Sequence, residues 1–377
     1  MKVYYITHLR YPTEKAHGWQ IAKMCDAFAE LGHEVTLVVP DRPTPIQTPP
    51  EQYYQLRHSF AVKRLPIFDA LARPWIPRLF AYLLTEWLFI RAVQRWQKTI
   101  PVEQACVMTR DPYLAPTLAR PDWKVVFELH DVNPKFFWLH RTIAKAVDLI
   151  VTTNAWKRDE LLRRWGTRIK GRVVALPNAI DLAPYQSLPP KEEAKRQLGW
   201  DAELRHVLYM GHLYDWKGVF VLADASAFLP LDVRVMMLGG TPEDAEKMRR
   251  YVQEHRLDRV TLLAHVPPER VPLHLAAADV LVLPNSGKSW YSKYTVSPLK
   301  LWDYLAAKRP VVVSDLPSLR ELVTDEEVRF VRPDDPQALA EGVETALAGD
   351  VARVTHAGER VQRQTWTARA SAIFASL

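Results

Sequence analysis

The residues around Ser297 have the types and spacing needed to bind an anion. Ser297 is a preferred helix N-cap residue and Pro298 suits the first helical position, so we predict a helix that begins at Pro298. The first turn of this helix would expose the N–H groups of Leu299 and Lys300 and the positive end of its dipole, with the Lys300 ammonium alongside. These groups suit an anionic ligand such as a diphosphate.

Two other candidate sites follow predicted strands. Lys217 and Gly218 come after a strand and a tight polar loop, where a lysine beside flexible backbone can reach a phosphate. A solvated lysine in a turn is the alternative for Lys217. His130 follows residues 125–129 (VVFEL) and therefore lies at a strand end rather than within a helix, where a structural histidine is the alternative to a functional one.

Strand signals alternate with helical signals through both halves of the chain, which is typical of parallel sheets flanked by helices. The predicted strands are residues 3–6, 35–39, 106–108, 125–128, 149–152 and 173–175 in the first half, and 206–210, 233–238, 260–263, 280–283, 311–313 and 329–331 in the second. Ligands of such sheets bind at the carboxyl ends of the strands. This rule selects the loops 8–19, 109–111, 130–131, 211–218, 239–240 and 265–267, and the approach to Ser297.

Composition excludes several classes of protein. At 377 residues the chain is long enough for two domains, each with its own core. Hydrophobic residues make up 48% and charged residues 25%, which is ordinary for a soluble globular protein and excludes disorder for most of the length. The formal charge of +7 favours an anionic partner, such as a nucleoside diphosphate or an anionic lipid surface. Nucleic acid is not expected, because the basic residues are scattered and no zinc-finger or RNA-binding signature occurs.

Cysteine usage and hydropathy predict a cytoplasmic location. Cys25 and Cys106 lie far apart in apolar contexts, which favours two reduced core thiols over a disulfide or a metal pair. Residues 1–7 form an apolar strand without a long signal-type apolar region or a cleavage site. The most hydrophobic segment, residues 79–90, is interrupted by Thr85 and Glu86 and is shorter than the roughly 18 apolar residues that a spanning helix needs.

The segment from Trp75 to Trp96 combines aromatic and aliphatic residues with several arginines. This composition suits a helix lying at a membrane interface, where it would make peripheral contact at the inner face of the membrane. A helix of the N-terminal domain buried on one face is the alternative, and we favour it. The choice decides whether a lipid-linked acceptor is expected.

Three motifs resemble one family. Residues 297–307 (SPLKLWDYLAA) with 309–315 (RPVVVSD) resemble the C-terminal motif of retaining glycosyltransferases of family four, which have the GT-B fold. Residues 211–218 (GHLYDWKG) are similar to the loop with which these enzymes hold the donor diphosphate, and residues 128–131 (ELHD) are similar to the loop whose histidine faces the donor sugar. The resemblance covers nearly the whole chain in the family's order. It implies an α/β protein with two doubly wound Rossmann-like domains facing a central cleft.

The resemblance also implies where the two domains begin and end. It implies an acceptor-side domain of residues 1–181, joined by a C-terminal tail helix of residues 362–377, and a donor-binding domain of residues 182–361. The implied donor site consists of Gly211, His212, Lys217, Gly218, Val266, Thr295, Ser297, Pro298, Leu299, Lys300 and Asp303. The implied catalytic residues are His130 and Lys217, and no metal ligand is expected.

Individual roles follow from the same resemblance. Lys217 would neutralise the diphosphate leaving group. His130 would hydrogen-bond the transferred sugar and stabilise positive charge through its carbonyl group, with Asp131 orienting it. Asp303 and Thr295 stand where the family has two glutamates, and His212 stands where it commonly has a basic residue.

The acceptor-side candidates are His17, Gly18, Arg110 and Asp111. Gly18 lies where the family has a small-residue loop, and an ordinary helix start is the alternative. Arg110 and Asp111 would touch the acceptor, and surface pairing with each other is the alternative.

The predicted function is the retaining transfer of a hexose from a UDP- or GDP-linked sugar to a hydroxyl acceptor, which would be a glycan or a glycolipid precursor. The mechanism would be front-face and metal-independent, and no cofactor is expected. A nucleotide-sugar 2-epimerase and a noncatalytic sugar-nucleotide binding protein are alternatives of the same fold. A nicotinamide oxidoreductase is disfavoured, because no Gly-x-Gly-x-x-Gly follows the first strand or the strand before Gly211.

Overall fold

The computed structural model describes residues 1–130 and 137–377, apart from the side chains of residues 137–140. It comprises two compact units, which are Met1–Pro177 with Trp366–Leu377, and Asn178–Thr365. The last residues of the chain therefore belong to the first unit. The sequence predicts the boundary at Asp181 and the tail from residue 362, whereas the units divide after Pro177 and after Thr365.

The secondary structure alternates between strands and helices along the described chain. The strands are β1 (Lys2–Ile6), β2 (Glu34–Pro40), β3 (Ala61–Leu65), β4 (Ala105–Thr109), β5 (Trp123–Leu129), β6 (Leu149–Thr152), β7 (Arg172–Ala175), β8 (Arg205–Met210), β9 (Val233–Leu238), β10 (Val260–Leu263), β11 (Val280–Leu283), β12 (Val311–Ser314) and β13 (Arg329–Val331). The helices are α1 (Ala16–Glu30), α2 (Pro50–Tyr53), α3 (Arg78–Gln97), α4 (Phe137–Ala146), α5 (Ala155–Trp165), α6 (Lys191–Leu198), α7 (Val219–Ala225), α8 (Pro242–Glu254), α9 (Val271–Ala277), α10 (Leu299–Ala306), α11 (Pro317–Arg320), α12 (Pro336–Leu347), α13 (Val351–Gln362) and α14 (Trp366–Ser376).

Each unit contains a parallel sheet. In the first unit the strand order is β3-β2-β1-β4-β5-β6-β7, and in the second it is β10-β9-β8-β11-β12-β13. The prediction of two doubly wound α/β domains is confirmed. The direction of winding reverses between β1 and β4 in the first unit and between β8 and β11 in the second. Ligands of open α/β sheets bind beside such switch points, so the loops after these four strands are the candidate sites.

The strands form where the chain has short apolar runs covered by helices on both faces. Val280–Leu283 is fully buried, for example, and so is Leu149–Thr152. Strand β3 is not predicted from the sequence because it is an edge strand in which Leu65 alone is buried. Its remaining residues include Lys63 and Arg64, which face solvent, so its hydrophobic pattern is weak.

The structure also shows the state of the two cysteines and the character of the helices. Cys25 and Cys106 are both buried free thiols, in agreement with their predicted place in the core. Among the described helices, none combines the length and the apolar character that crossing a bilayer requires.

Candidate functional site

Two ammonium groups lie at the carboxyl end of β8 in the second unit. Lys300 Nζ donates to the Met210 carbonyl oxygen at 2.8 Å and lies 3.9 Å from the centre of the Tyr209 ring. Lys217 Nζ lies 5.2 Å from the centre of the Trp216 ring. Within the described residues, neither lysine forms an ion pair with a carboxylate. The site therefore holds two cations, neither of which is in contact with a carboxylate of the described chain, and the negative charge that acts on Lys217 is that of Asp244.

The pKa values of both lysines are lowered. Burial lowers the pKa of Lys217 to about 8. Burial, and then the charge of Lys217, lowers the pKa of Lys300 well below its usual value. Two desolvated charges that repel each other raise the energy of the empty site. An anion with two or more negative charges would relieve this repulsion, which is the property expected of a diphosphate site.

Two glycines allow the backbone to reach this arrangement. Gly218 has a φ of +70°, and a Cβ atom there would lie 1.8 Å from the Pro284 carbonyl oxygen. Gly211 has a φ of +127°, and a Cβ atom there would lie 3.2 Å from Lys300 Nζ. Any other residue at either position would be strained, since L-residues disfavour these conformations. Both glycines are thus needed to keep the loop after β8 close to the two lysines.

Helix α10 begins one residue later than predicted, and Ser297 does not cap it. Pro298 itself occupies the N-cap position with an extended backbone, so Leu299 is the first helical residue and no side chain caps the helix. The Ser297 carbonyl oxygen instead accepts a hydrogen bond from Asn178 Nδ2 at 2.8 Å. The predicted cap is wrong because proline takes the position at which the serine would have acted. The N–H groups of Leu299 and Lys300 remain in the first turn, where helical partners are lacking.

The other predicted donor-site residues have different surroundings. Asp303 Oδ1 accepts a hydrogen bond from the Tyr185 hydroxyl at 2.9 Å, and burial raises the pKa of Asp303 to about 6. Thr295 is 1% exposed. Its hydroxyl group donates to the Tyr291 carbonyl oxygen. The His212 ring is exposed and stacks on the Tyr214 ring with the two centres 5.0 Å apart.

Val266 completes the set of predicted donor-site residues. It is half-buried in the loop after β10 and packs against the hydrophobic core of the second unit. Every predicted donor residue therefore belongs to the second unit, and the roles of Thr295, His212 and Val266 stay predictions.

His130 is held by a polar network in the first unit. Arg110 Nη1 donates to Gln20 Oε1 at 2.7 Å, which turns the Gln20 amide nitrogen toward His130 Nε2 at 3.1 Å. His130 Nε2 is then an acceptor, and the ring proton lies on Nδ1. Burial, and then the nearby Arg110 charge, lowers the pKa of His130 to about 3. The imidazole is thus neutral at physiological pH.

The carbonyl group of His130 already has a cationic partner. Lys157 Nζ donates to the His130 carbonyl oxygen at 2.8 Å and to Thr153 Oγ1 at 2.6 Å. This ammonium group weighs against the predicted use of the carbonyl to stabilise positive charge on the sugar. Asp131, which was predicted to orient His130, lies outside the described residues.

A buried ion pair lies next to His130. Glu128 Oε1 pairs with Arg369 Nη2 at 2.7 Å, and Glu128 Oε2 accepts from the Tyr5 hydroxyl at 2.6 Å. His130 Nε2 lies 3.8 Å from Glu128 Oε2. Burial acts to raise the pKa of Glu128, but the Arg369 guanidinium and His130 hold it below its usual value. Because Arg369 belongs to α14, the C-terminal helix supplies the charge that balances this carboxylate.

Asp111 belongs to a second cluster, formed with His8 and Glu86. His8 Nδ1 lies 2.6 Å from Asp111 Oδ2 and 3.2 Å from Glu86 Oε2. Glu86 is 3% exposed, and its carboxyl group lies beside the side chains of His8 and Asp111 in this cluster. Burial, and then hydrogen bonding to Asp111, raises the pKa of Glu86 to about 10. The alternative of a surface pair between Arg110 and Asp111 is not what the structure contains.

The same three side chains are close enough to hold a metal ion, since their ligand atoms all lie within 4.8 Å of one another. The 2.6 Å separation of His8 and Asp111 is that of a charge-assisted hydrogen bond, with a proton between the two atoms. The raised pKa of Glu86 also favours a proton on this carboxyl group. The geometry therefore favours a hydrogen-bonded cluster that holds protons.

His17 and Gly18 lie in the first turn of α1. Burial, and then the Arg110 charge, lowers the pKa of His17 to about 4, so its ring is neutral at physiological pH. A Cβ atom on Gly18 would lie 2.4 Å from Thr13 Cγ2 and 2.8 Å from the Tyr54 hydroxyl oxygen. Gly18 is therefore required for close packing rather than for a positive φ.

The comparisons with known proteins agree with this arrangement. Residues 18–184 match the model of the family described as Glycosyltransferase Family 4. Residues 205–349 match the model described as Glycosyl transferases group 1. The two matches follow each other along the chain and take in most of both sheets.

The chain belongs to the family-four-like glycosyltransferases of the GT-B fold. The chain is 32% identical over 233 residues to the curated phosphatidyl-myo-inositol mannosyltransferase from Mycobacterium tuberculosis, and the match covers 57% of this chain and 56% of the relative. It is 29% identical over 197 residues to alpha-maltose-1-phosphate synthase from Mycolicibacterium smegmatis, covering 50% of this chain and 49% of the relative. The chain thus spans about half the length of the curated relatives it matches.

Solved structures of the same fold cover the chain more fully. Sucrose-phosphate synthase from Thermosynechococcus elongatus matches with a TM-score of 0.78 at 22% identity, over 99% of this chain and 97% of that one. Anabaena Alr3699/HepE in complex with UDP matches with a TM-score of 0.73 at 17% identity, over all of both chains. At these identities the likeness shows the fold alone.

Proposed function

We propose that the protein transfers a hexose from a UDP- or GDP-linked sugar to a hydroxyl acceptor. The carrying observation is the pair of cations at the end of β8, Lys217 and Lys300, which have no carboxylate partner among the described residues. A diphosphate supplies the charge that this site lacks. Family membership supports the proposal, and the structural neighbour Anabaena Alr3699/HepE was solved in complex with UDP and with UDP-glucose.

The proposed mechanism is retaining, front-face and independent of a metal ion. Lys217, Lys300 and the first N–H groups of α10 stabilise the departing diphosphate as negative charge develops on it. The acceptor hydroxyl attacks from the side on which the diphosphate leaves and gives its proton to a leaving-group oxygen. Because two ammonium groups and a helix N-terminus already supply positive charge, the site does not need a cation from solution.

Two further residues have proposed roles. The free oxygen of the Asp303 carboxyl group accepts a hydrogen bond from the donor ribose, while Tyr185 holds the other oxygen. His130 contacts the transferred sugar by donating from Nδ1, since its Nε2 already accepts from Gln20. A neutral donor at this position can hydrogen-bond a sugar hydroxyl without adding charge beside the reacting carbon.

Peripheral membrane contact is also proposed, on the basis of one surface of the first unit. Helix α3 buries one face, which includes Phe89, and exposes apolar side chains on the other. Trp75, Leu79 and Phe80 are 75%, 74% and 61% exposed, and Trp87 is 56% exposed. The favoured interpretation of a helix buried on one face therefore leaves several large apolar residues of α3 unexplained, which are Leu79, Phe80, Leu83 and Trp87. These exposed residues, with Trp75 just before the helix, suit the interfacial region of a bilayer, with arginines directed to lipid headgroups.

Release of nucleoside diphosphate tests the proposed activity. The protein is incubated with UDP-, GDP- and dTDP-sugars in turn, with and without candidate hydroxyl acceptors, and the released diphosphate is measured. We expect release with one donor base, and loss of more than tenfold in the Lys217→Ala variant. Lys247→Ala is the matched control, because Lys247 is an exposed lysine of the same unit that pairs with Asp215. Donor binding without release under all conditions would favour the noncatalytic alternative, and conversion of the donor sugar to its 2-epimer would favour the epimerase.

A further inference from the structure

A cavity of about 820 Å³ lies in the first unit beside the His8 cluster. Its walls come from the loop after β1, the start of α1, the residues before α3 and the first turn of α3. The volume is within the usual range of small-molecule sites, roughly 300–1,000 Å³. It lies at the carboxyl end of β1, beside the switch point of the sheet. Its position is thus that of a substrate site.

The charge of the cavity walls is strongly unbalanced. Five cations line the cavity, and they are Arg10, Lys15, Arg42, Arg73 and Arg78. The lining contains one carboxylate, Glu14, among the described residues. A cavity with this excess of positive charge attracts an anion.

Most of these cations are not neutralised. Arg42 is paired with Asp69 at 2.9 Å, and Arg10 Nη2 lies 2.9 Å from Glu14 Oε2. Arg10 Nε is buried and has no hydrogen-bond partner among the described residues. The side chains of Lys15 and Arg78 make no hydrogen bond or ion pair within the same part of the chain. A buried guanidinium N–H without an acceptor points to a ligand that would provide one.

The neighbouring titratable groups do not cancel this charge. The lowered pKa of His17, which lines the cavity, keeps its ring neutral. Glu86 and Asp111 contact His8 but are not part of the lining; the raised pKa of Glu86 favours a proton there, and Asp111 is engaged by His8 and by the backbone N–H groups of Tyr113 and Leu114. The polar side chains of His8, His17 and Tyr82 in the lining can hydrogen-bond hydroxyl groups, while the cations attract an anion.

We propose that this cavity binds the acceptor and that the acceptor is a phosphate-bearing polyol, whose phosphate contacts Arg10, Lys15 and Arg78. This inference rests on the proposed glycosyl transfer and specifies its substrate class. Arginine and lysine together suit a phosphate, because the guanidinium group donates in pairs and the ammonium group adds a mobile charge. The phosphate belongs either to a soluble sugar phosphate or to an anionic lipid headgroup. The exposed Trp75, Leu79 and Phe80, which neighbour the lining in sequence, would contact the acyl chains in the second case.

Binding measurements test the proposal without requiring turnover. Calorimetric titration compares glucose 6-phosphate with glucose, and vesicles of phosphatidylcholine with and without phosphatidylinositol provide the lipid arm. We expect glucose 6-phosphate to bind at least tenfold more tightly than glucose, or vesicles that contain phosphatidylinositol to bind at least tenfold more tightly than vesicles of zwitterionic phosphatidylcholine alone. The double variant Lys15→Gln/Arg78→Gln should weaken that binding at least tenfold. Both side chains are exposed, so the variant should keep the fold.

A second basic cavity provides the matched control. It is about 640 Å³ in volume and is lined by Arg91, Arg95, Lys98 and Arg120 in the same unit. Arg95→Gln/Lys98→Gln removes the same amount of charge and should change the binding less than twofold. An equal loss in both double variants would overturn the proposal, because it would show a general effect of charge. Equal binding of glucose 6-phosphate and glucose, together with equal binding of the two kinds of vesicle, would also overturn it.

The Leu79→Ser/Phe80→Ser variant distinguishes the two sources of phosphate. It should lose vesicle binding if the acceptor is a lipid, and it should leave glucose 6-phosphate binding unchanged if the acceptor is soluble. Titration with UDP keeps this inference separate from the proposed function. UDP binding that persists in Lys15→Gln/Arg78→Gln shows an intact donor site. If the wild type does not bind UDP, the proposed function is contradicted, and the phosphate titrations then report only on the cavity in the first unit.

Discussion

Replacing Lys217 with methionine should make the free protein more stable and remove its affinity for nucleoside diphosphate. Burial lowers the pKa of Lys217 from its usual 10.5 to about 8. At 1.36 kcal/mol per pKa unit, holding this charge in the empty site costs about 3 kcal/mol. The rings of Tyr214 and Trp216, whose centres lie 5.3 Å and 5.2 Å from Nζ, return about 0.5–1 kcal/mol each. The net gain in the Lys217→Met variant is therefore about 1–2 kcal/mol.

The stability gained in the Lys217→Met variant should depend on pH, and the lowered pKa of Lys217 sets the direction of this dependence. The folded-state pKa is below the unfolded-state value, so the unfolded chain binds more protons between about pH 8 and pH 10.5, and the wild type gains stability as pH rises through this window. Below about pH 8 the penalty is fully present. The free energy of unfolding of the variant should therefore exceed that of the wild type most at pH 7, and this difference in stability should shrink above pH 8.

Chemical denaturation at pH 7 and at pH 9.5, with and without UDP, measures both effects. UDP at 100 times its dissociation constant should stabilise the wild type by about 2.7 kcal/mol and the variant by much less. Lys247→Met, which removes an exposed ammonium group paired with Asp215, should stay within about 0.5 kcal/mol of the wild type. A Lys217→Met variant that is less stable than the wild type at pH 7 would contradict the cost of burying the Lys217 charge, and one that UDP stabilises equally would contradict its role in binding the diphosphate.

Three other variants, two single and one double, test the proposed roles of residues in the first unit. His130→Ala should lower kcat by more than tenfold and change the affinity for UDP by less than twofold, because its proposed contact is with the sugar; a calorimetric titration that finds a large loss of UDP affinity would contradict this role. Leu79→Ser/Phe80→Ser should abolish binding to anionic vesicles at low salt without lowering the melting temperature, and a wild type that ignores such vesicles would exclude membrane contact. Arg369→Met should destabilise the protein by about 3–5 kcal/mol in urea, because Glu128 would remain charged and buried, and adding Glu128→Gln should recover much of this loss; equal stability of the single variant and the wild type would show that the pair does not matter.

The sheets and the loops that carry the site can be predicted because their signals are local. Runs such as Val280–Leu283 are apolar without alternation, and polar residues follow them where the strands end. Residues such as Lys217 can thus be assigned to strand-end loops from the amino-acid sequence alone. Strand β3 is the exception, since an edge strand buries too little apolar surface to produce a clear pattern.

The partners of the site residues could not be predicted, because they lie far away in sequence. Gln20 contacts His130, which is 110 residues away in sequence, and Arg369 donates to the carbonyl oxygen of Pro177, which is 192 residues away. No local periodicity encodes such pairs; they result from how the helices pack on the sheet. Glu86 illustrates the same limit, since its position in an apolar segment suggests only an interruption of a hydrophobic helix. The strand-end rule does select the loop that contains His8, but it does not indicate which carboxyl groups that histidine meets.

The anomeric configuration of the transferred sugar is the sharpest test of the proposed retaining glycosyl transfer. Proton NMR can follow the reaction of the protein with its donor and a phosphate-bearing acceptor, reading the coupling constant of the anomeric proton in donor and product. We predict that nucleoside diphosphate is released in step with the appearance of a glycoside whose anomeric configuration is that of the donor, and that Lys217→Ala abolishes both signals. A product of inverted configuration would contradict the front-face mechanism. The absence of both glycoside and diphosphate release across all donors would contradict the assignment of a glycosyltransferase activity.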